Sequence, residues 1–201
     1  MTYNSDSHLV VIPTYNEIEN IRLFLDELLE FNISVLIVDD NSPDGTGQVV
    51  EKLASSSSKL HLLKRSGKLG LGSAYRDGFL WGLNKKFSFM VQMDADFSHR
   101  FNDLDNILNE SKTSDLVIGS RYIEGGGSEG WDFKRKLLSK SANLVSRIVL
   151  QSRINDMTSG FRCYSADTLD KIKFQNTKSD GYSFQIEMTM RCEISTLEIK
   201  E

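Results

Sequence analysis

Two aspartates one residue apart, Asp94 and Asp96, stand in the stretch FSFMVQMDADFSH, residues 87–99. Carboxylates this close repel each other unless a cation lies between them. Hard oxygen donors suit Mg²⁺ or Mn²⁺, which commonly sits on one or two carboxylates and completes its shell with substrate phosphates. The pair therefore reads either as a metal bridge to a nucleotide diphosphate or as a solvated turn capping the next helix. A second acidic pair, Asp39 and Asp40, follows another apolar run, Val35–Val38. Arg121 and the cluster Lys134, Arg135 and Lys136 are the cations suited to gripping phosphate, arginine in a bidentate way. Asp156, in NDMTSGF, would serve as a general base if the acceptor were a hydroxyl, and otherwise as a turn cap. His99 lies near the acidic pair, but His8, His61 and His99 share no ligand spacing.

The elements that must position these groups follow from hydropathy patterning. Short apolar runs at Leu9–Ile12, Val35–Val38, Leu60–Leu63, Phe89–Val91 and Leu116–Ile118 alternate with stretches of helical period. That order predicts a parallel, doubly wound α/β sheet, whose ligands gather at the C-terminal edges of the strands. Thr14 or Asn16 is expected to start the first helix. After Ser120 the pattern changes. A glycine-rich loop with Gly125, Gly126, Gly127 and Trp131 precedes an amphipathic helix over Lys134–Leu150, with Leu144, Val145, Ile148 and Val149 on its apolar side. Packing against its own sheet is the expected use of that face, and a membrane surface is the alternative.

At 201 residues the chain reads as a single domain, 1–201. Its net charge of −4 argues against a nucleic-acid partner. Cys163 and Cys192 are far apart and suggest a reduced, intracellular protein without zinc or a disulfide scaffold. The N-terminus lacks a signal-peptide pattern. No apolar run approaches the ~20 residues that span a bilayer.

The segments VVIPTYNE, VDDNSPDGT, KLGLGSAYRDG, DADFSH, SRYIEGGGSEGWDFKRK and DMTSGFRCY occur in this order over residues 8–195. Together the set resembles the dolichol-phosphate mannose synthases, or polyprenyl-phosphate mannosyltransferases, which are inverting glycosyltransferases of the GT-A fold. The resemblance implies a Rossmann-like domain with a mostly parallel sheet, its nucleotide-sugar half over 8–120 and its acceptor half over 121–201. It implies a GDP-mannose donor, a divalent metal and a polyprenyl phosphate acceptor at the cytoplasmic face of a membrane, and a membrane-anchoring partner is compatible with it. On this sequence Pro13, Tyr15, Glu17, Asp39 and Asp40 would line the donor pocket. Asp94, Ala95 and Asp96 would serve donor and metal, with Ser98 as a further ligand. Arg121, Lys134 and Arg135 would hold the acceptor phosphate, and Asp96, Arg121 and Arg135 would carry catalysis. Members of the family continue into a strand and a basic Arg…Gly-x-Ser-Lys segment that closes over the diphosphate, whereas this sequence stops at Glu201. The expectation is a fragment or shortened member, or another chain supplying the element. A non-catalytic nucleotide-sugar-binding module is the rival reading.

Overall fold

The computed structural model describes residues 7–127 and 133–201, with the side chains of 133–138 and 142 outside that description. Strands β1 (His8–Thr14), β2 (Ser34–Asp39), β3 (Leu60–Lys64), β4 (Phe89–Gln92) and β5 (Leu116–Ile118) alternate with helices α1 (Ile21–Leu29), α2 (Thr46–Ala54), α3 (Leu71–Asn84) and α4 (Phe101–Glu110). Then come α5 (Phe133–Leu150), β6 (Arg162–Ser165), α6 (Ala166–Ile172), α7 (Gly181–Ile194) and β7 (Ile199–Lys200). The sheet has seven strands in the order β3-β2-β1-β4-β6-β5-β7.

Helices cover both faces, so β1 and β2 are buried on each side, which is why they read as unbroken apolar runs. On one face Ile21, Phe24, Leu25 and Leu28 of α1 join Val50 of α2 and Leu104, Ile107 and Leu108 of α4. On the other, Tyr75 and Phe79 of α3 pack with Leu169 and Ile172 of α6 and with Phe184 and Met188 of α7. Fully burying side chains of this size contributes roughly 1.5–3 kcal/mol each. α3 comes close to the sheet because Gly78 has no side chain; a Cβ there would meet Val11 Cγ1 at 2.3 Å.

The first four strands are parallel, as the sequence predicts. β6 is antiparallel to both β4 and β5 and has no counterpart in the sequence reading. The first helix also begins later than expected. Thr14 is the last residue of β1, Asn16 adopts a left-handed φ of 63°, and α1 starts only after Asn20.

The largest departure is α5. Its outward apolar residues do not pack on the sheet: Ile148 is 68% and Val149 71% exposed, and Leu144 and Val145 are exposed as well. The expectation that this face covers the molecule's own sheet is therefore overturned. Asn143 instead roots the helix: its Nδ2 donates to Thr158 Oγ1 at 3.1 Å, and its Oδ1 accepts from Met157 N at 3.0 Å. Trp131 lies outside the described residues, as do the side chains of Lys134, Arg135, Lys136, Leu137 and Leu138.

Candidate active site

β1 pairs with β2 on one side and β4 on the other, so the direction of winding reverses between β1 and β4. Crevices at the C-terminal ends of such strands hold ligands. Glu17 follows β1 there, and Asp94 and Asp96 follow β4.

Asp94 is half-buried and held from two sides. Tyr75 donates its hydroxyl to Oδ1 at 3.3 Å, and Nε2 of His99 lies 3.3 Å from Oδ2. The His99 ring is itself stacked on Phe161, centroids 5.0 Å apart. Burial alone would raise the Asp94 carboxyl, but the hydrogen bonds and charge of His99, with the bond from Tyr75, outweigh it and hold it below the ordinary aspartate range. Tyr75 is fully buried, and burial together with Asp94 pushes its hydroxyl well up, so it stays protonated and donates. Gly160 lies against Asp94 from the turn between α5 and β6.

Asp96 is exposed, and its Oδ1 accepts from Ser98 N at 3.0 Å. Ala95 between them is buried, so the two carboxylates are displayed from a fixed root. The Glu17 carboxyl is raised, first by burial and also by the negative charges of Asp96, Asp44 and Asp94, against a lowering bond to Asn20. That concentration of carboxylates is the electrostatic setting a divalent cation would relieve. Among the described residues no cluster of three or more His, Cys, Asp or Glu side chains could hold a metal by itself. Two carboxylates completed by water and phosphate oxygens match the habit of Mg²⁺, so the residues present fit such an ion.

The second acidic pair is built into the scaffold. Asp39 is buried, accepting from Thr14 Oγ1 and from the backbone and hydroxyl of Ser42. Asp40 accepts from Arg65 at 2.7 Å and from Leu69 N at 3.0 Å, and so fixes the KLGLG turn. That turn carries Lys68, whose Nζ lies 4.2 Å above the ring of Tyr15. Tyr15 and Pro13 are half-buried beside this corner.

Across the crevice, Arg121 is locked onto Asp156. Its Nε donates to Oδ2 and its Nη2 to Oδ1, both at 2.6 Å, and Nη2 also reaches Thr158 Oγ1 at 2.7 Å. Asp156 is fully buried. Burial would raise its carboxyl, but Arg121 outweighs that and holds it below the usual range, which makes it a poor general base. The backbone N–H groups of Asn155 and Asp156 donate to the Glu201 carboxylate, each at 2.8 Å. A cavity of about 760 Å³ joins the two sides, with Asp94 and Asp96 on one wall and Arg121, Gly126, Tyr182 and Glu201 among the others.

The structure thus brings Glu17, Asp94 and Asp96 together and places Arg121 on the same cavity. Asp39 and Asp40 stand at the neighbouring strand end with their oxygens already engaged. Ser98 lines the cavity with the acidic pair. The sequence reading missed the support of Asp94 by Tyr75, His99 and Gly160. It also missed the Arg121–Asp156 pairing. Only the short spacing of His99 from Asp94 could have signalled any of these contacts.

A mixed sheet flanked on both faces by helices, with an Asp-x-Asp at a central strand end opening on a cavity that Arg121 also lines, has the architecture of the GT-A class of glycosyltransferase. The sequence matches the family model described as glycosyl transferase family 2 over residues 9–173, and the chain belongs to that family. It is 45% identical to an undecaprenyl-phosphate mannosyltransferase of Micrococcus luteus, over 91% of this chain and 76% of that protein. It is 44% identical to a polyprenol monophosphomannose synthase of Mycolicibacterium smegmatis, over 91% of this chain and 71% of that one. Among solved structures, the mannosyltransferase PcManGT from Pyrobaculum calidifontis, in complex with GDP-Man and Mn²⁺, superposes with a TM-score of 0.62 at 16% identity, covering 96% of this chain and 54% of that one. TarS 1–349 of S. aureus in complex with UDP superposes with a TM-score of 0.60 at 18% identity, over 92% of this chain and 55% of that one. The chain thus spans about half the length of these two structures, and they share its fold.

Proposed function

We propose that this domain transfers mannose from GDP-mannose to a polyprenyl phosphate with inversion at the anomeric carbon. The observation that carries the reading is one cavity with the Asp94/Asp96 pair on one wall and the Arg121 guanidinium on another. The identities of the relatives, both named for polyprenyl-phosphate mannosyl transfer, supply the substrate class.

Asp94 and Asp96, with Ser98 beside them, would hold Mg²⁺ or Mn²⁺ against the donor diphosphate. Bound there, the ion supplies Lewis-acid stabilisation of the charge that develops on the leaving group. Preorganised stabilisation of that kind contributes several kcal/mol. Pro13, Tyr15, Glu17, Asp39 and Asp40 border the nucleoside end of the donor, the two aspartates by bracing the turns around it. The acceptor phosphate monoester, with a second pKa of about 6, is largely ionised at neutral pH and needs no strong base. This agrees with an Asp156 that is spent on Arg121. What the acceptor needs is cations to bring two phosphates together, and Arg121, Lys134 and Arg135 are assigned that role. Attack from the side opposite the nucleoside diphosphate gives a β-linked product from an α-linked donor.

The acceptor is a lipid, and among the described residues no helix is long and apolar enough to cross a membrane. The exposed row Leu144, Val145, Ile148 and Val149 on α5 is suited to lie at a membrane surface, which supports peripheral association. A screen of GDP-mannose, GDP-glucose, UDP-glucose and UDP-N-acetylglucosamine with a short polyprenyl phosphate and Mn²⁺ tests the reading. Mannosyl-phosphoryl-polyprenol from GDP-mannose is expected. Nucleotide binding with no transfer from any donor would leave a binding module in its place.

A further inference from the structure

Arg162 is fully buried, the largest fully buried side chain by residue volume among those described. All five of its hydrogen-bond acceptors are neutral: Ser159 O at 2.7 Å, Met157 O at 2.8 Å, Gln185 O at 3.0 Å, Thr189 Oγ1 at 2.7 Å and Tyr164 Oη at 3.4 Å. Its cross-strand neighbour Gln92 is also fully buried, with neither amide atom hydrogen-bonded. A layer built for stability alone would be apolar here, because burying an ion costs several kcal/mol, and the nearest counter-charge, on Asp156, acts on Arg162 without a hydrogen bond between them. What a guanidinium adds is a rigid fork that donates to several elements at once. Two of these acceptors belong to the 156–160 turn and two to α7.

That turn touches three residues of the cavity wall, Arg121, Gly119 and Asp94. Asp156 grips Arg121. Ser159 Oγ donates to Gly119 O at 2.7 Å, at the end of β5. Gly160 abuts Asp94. We propose that Arg162 is a positioning residue for sugar transfer: its buried fork pins the 156–160 turn to α7, and through that turn it sets both Arg121 and Asp94. Arg162 touches no substrate, and the proposal rests on the transfer reaction assigned above.

The test uses the full chain with Arg162→Lys and Thr189→Val. Lysine keeps the charge, but its single ammonium cannot span the turn and the helix. Amide hydrogen exchange, which needs no substrate, should quicken by about tenfold in residues 155–161 and 119–122, while β1 and β2 stay protected. In steady-state transfer the KM for polyprenyl phosphate should rise by about tenfold in Arg162→Lys with a smaller change in the KM for GDP-mannose. Thr189→Val should show the same pattern more weakly, and it carries the exchange test if the lysine variant fails to fold. Unchanged exchange in the turn overturns the proposal. So does a fall in kcat with both KM values intact, the mark of a reduced folded fraction. If the unaltered chain transfers no sugar, the reaction assigned to it is wrong, and the exchange result still decides whether Arg162 holds the turn.

Discussion

Gly160 and Asp94 are in such close register that a Cβ on the glycine would lie 2.9 Å from Asp94 Oδ2. The carboxylate cannot swing away freely, because Tyr75 and His99 hold its two oxygens. Gly160→Ala should therefore displace Asp94 and weaken Mn²⁺-dependent GDP binding by about tenfold, a cost of ~1.4 kcal/mol. Calorimetric titration with GDP checks this, and an unaltered affinity would mean that the pose of Asp94 does not govern the ion.

Asp156→Asn keeps the shape of the turn and removes the charge facing Arg121. Breaking one half of a buried pair costs about 3–5 kcal/mol. Arg121 retains a little exposure, its side chain being 17% accessible, so a loss of about 3 kcal/mol in urea unfolding is expected. The pH dependence has a defined sign. The folded Asp156 carboxyl lies below its ordinary 3.8, so its stabilisation is complete above that pH and is lost as pH falls through the lower folded value. Acid denaturation of the unaltered chain should show this loss below 3.8, and the asparagine variant should not.

Cys163 and Cys192 are both buried, and burial pushes each thiol up to about 12. At pH 8 neither should react with iodoacetamide in the folded protein, and both should react once it is unfolded in urea. Rapid labelling of either under native conditions would show that the sheet around β6 or the packing of α7 opens readily.

The exposed row on α5 predicts a surface interaction. Ile148→Ser with Val149→Ser should lower binding to anionic phospholipid vesicles by about tenfold, while leaving GDP affinity and thermal stability unaltered. A fall in stability comparable to a core substitution would instead show that these side chains cover part of this protein.

The contrast between α5 and β6 explains how much could be read from sequence. Strands β1, β2 and β5 announce themselves because both of their faces are apolar. β6 reads Arg-Cys-Tyr-Ser, and its most polar residue points inward, so periodicity gives the wrong sign for a strand that is nonetheless central. α5 fails in the opposite way: its apolar stripe is genuine but faces outward, and hydropathy does not say which surface will cover it. At the candidate site, Asp94 and Asp96 stood out as a pair because both carboxylates lie within three residues. Arg121 with Asp156, and Asp94 with Gly160, are made by the fold from distant segments, and no local pattern marks them. The donor-pocket role of Asp40 came from the resemblance, and no local pattern showed that Arg65 and the KLGLG turn engage its oxygens.

The central claim is that a divalent cation on Asp94 and Asp96 joins the protein to a sugar-bearing diphosphate. Asp96 is exposed and bonds only to the neighbouring Ser98 backbone among the described contacts, so Asp96→Ala should leave the fold intact. The decisive measurement is GDP-mannose binding to the unaltered chain and to Asp96→Ala, each with Mn²⁺ and with chelator. Binding that requires both the metal and the Asp96 carboxylate is the predicted result; equal affinity in all four conditions would contradict it.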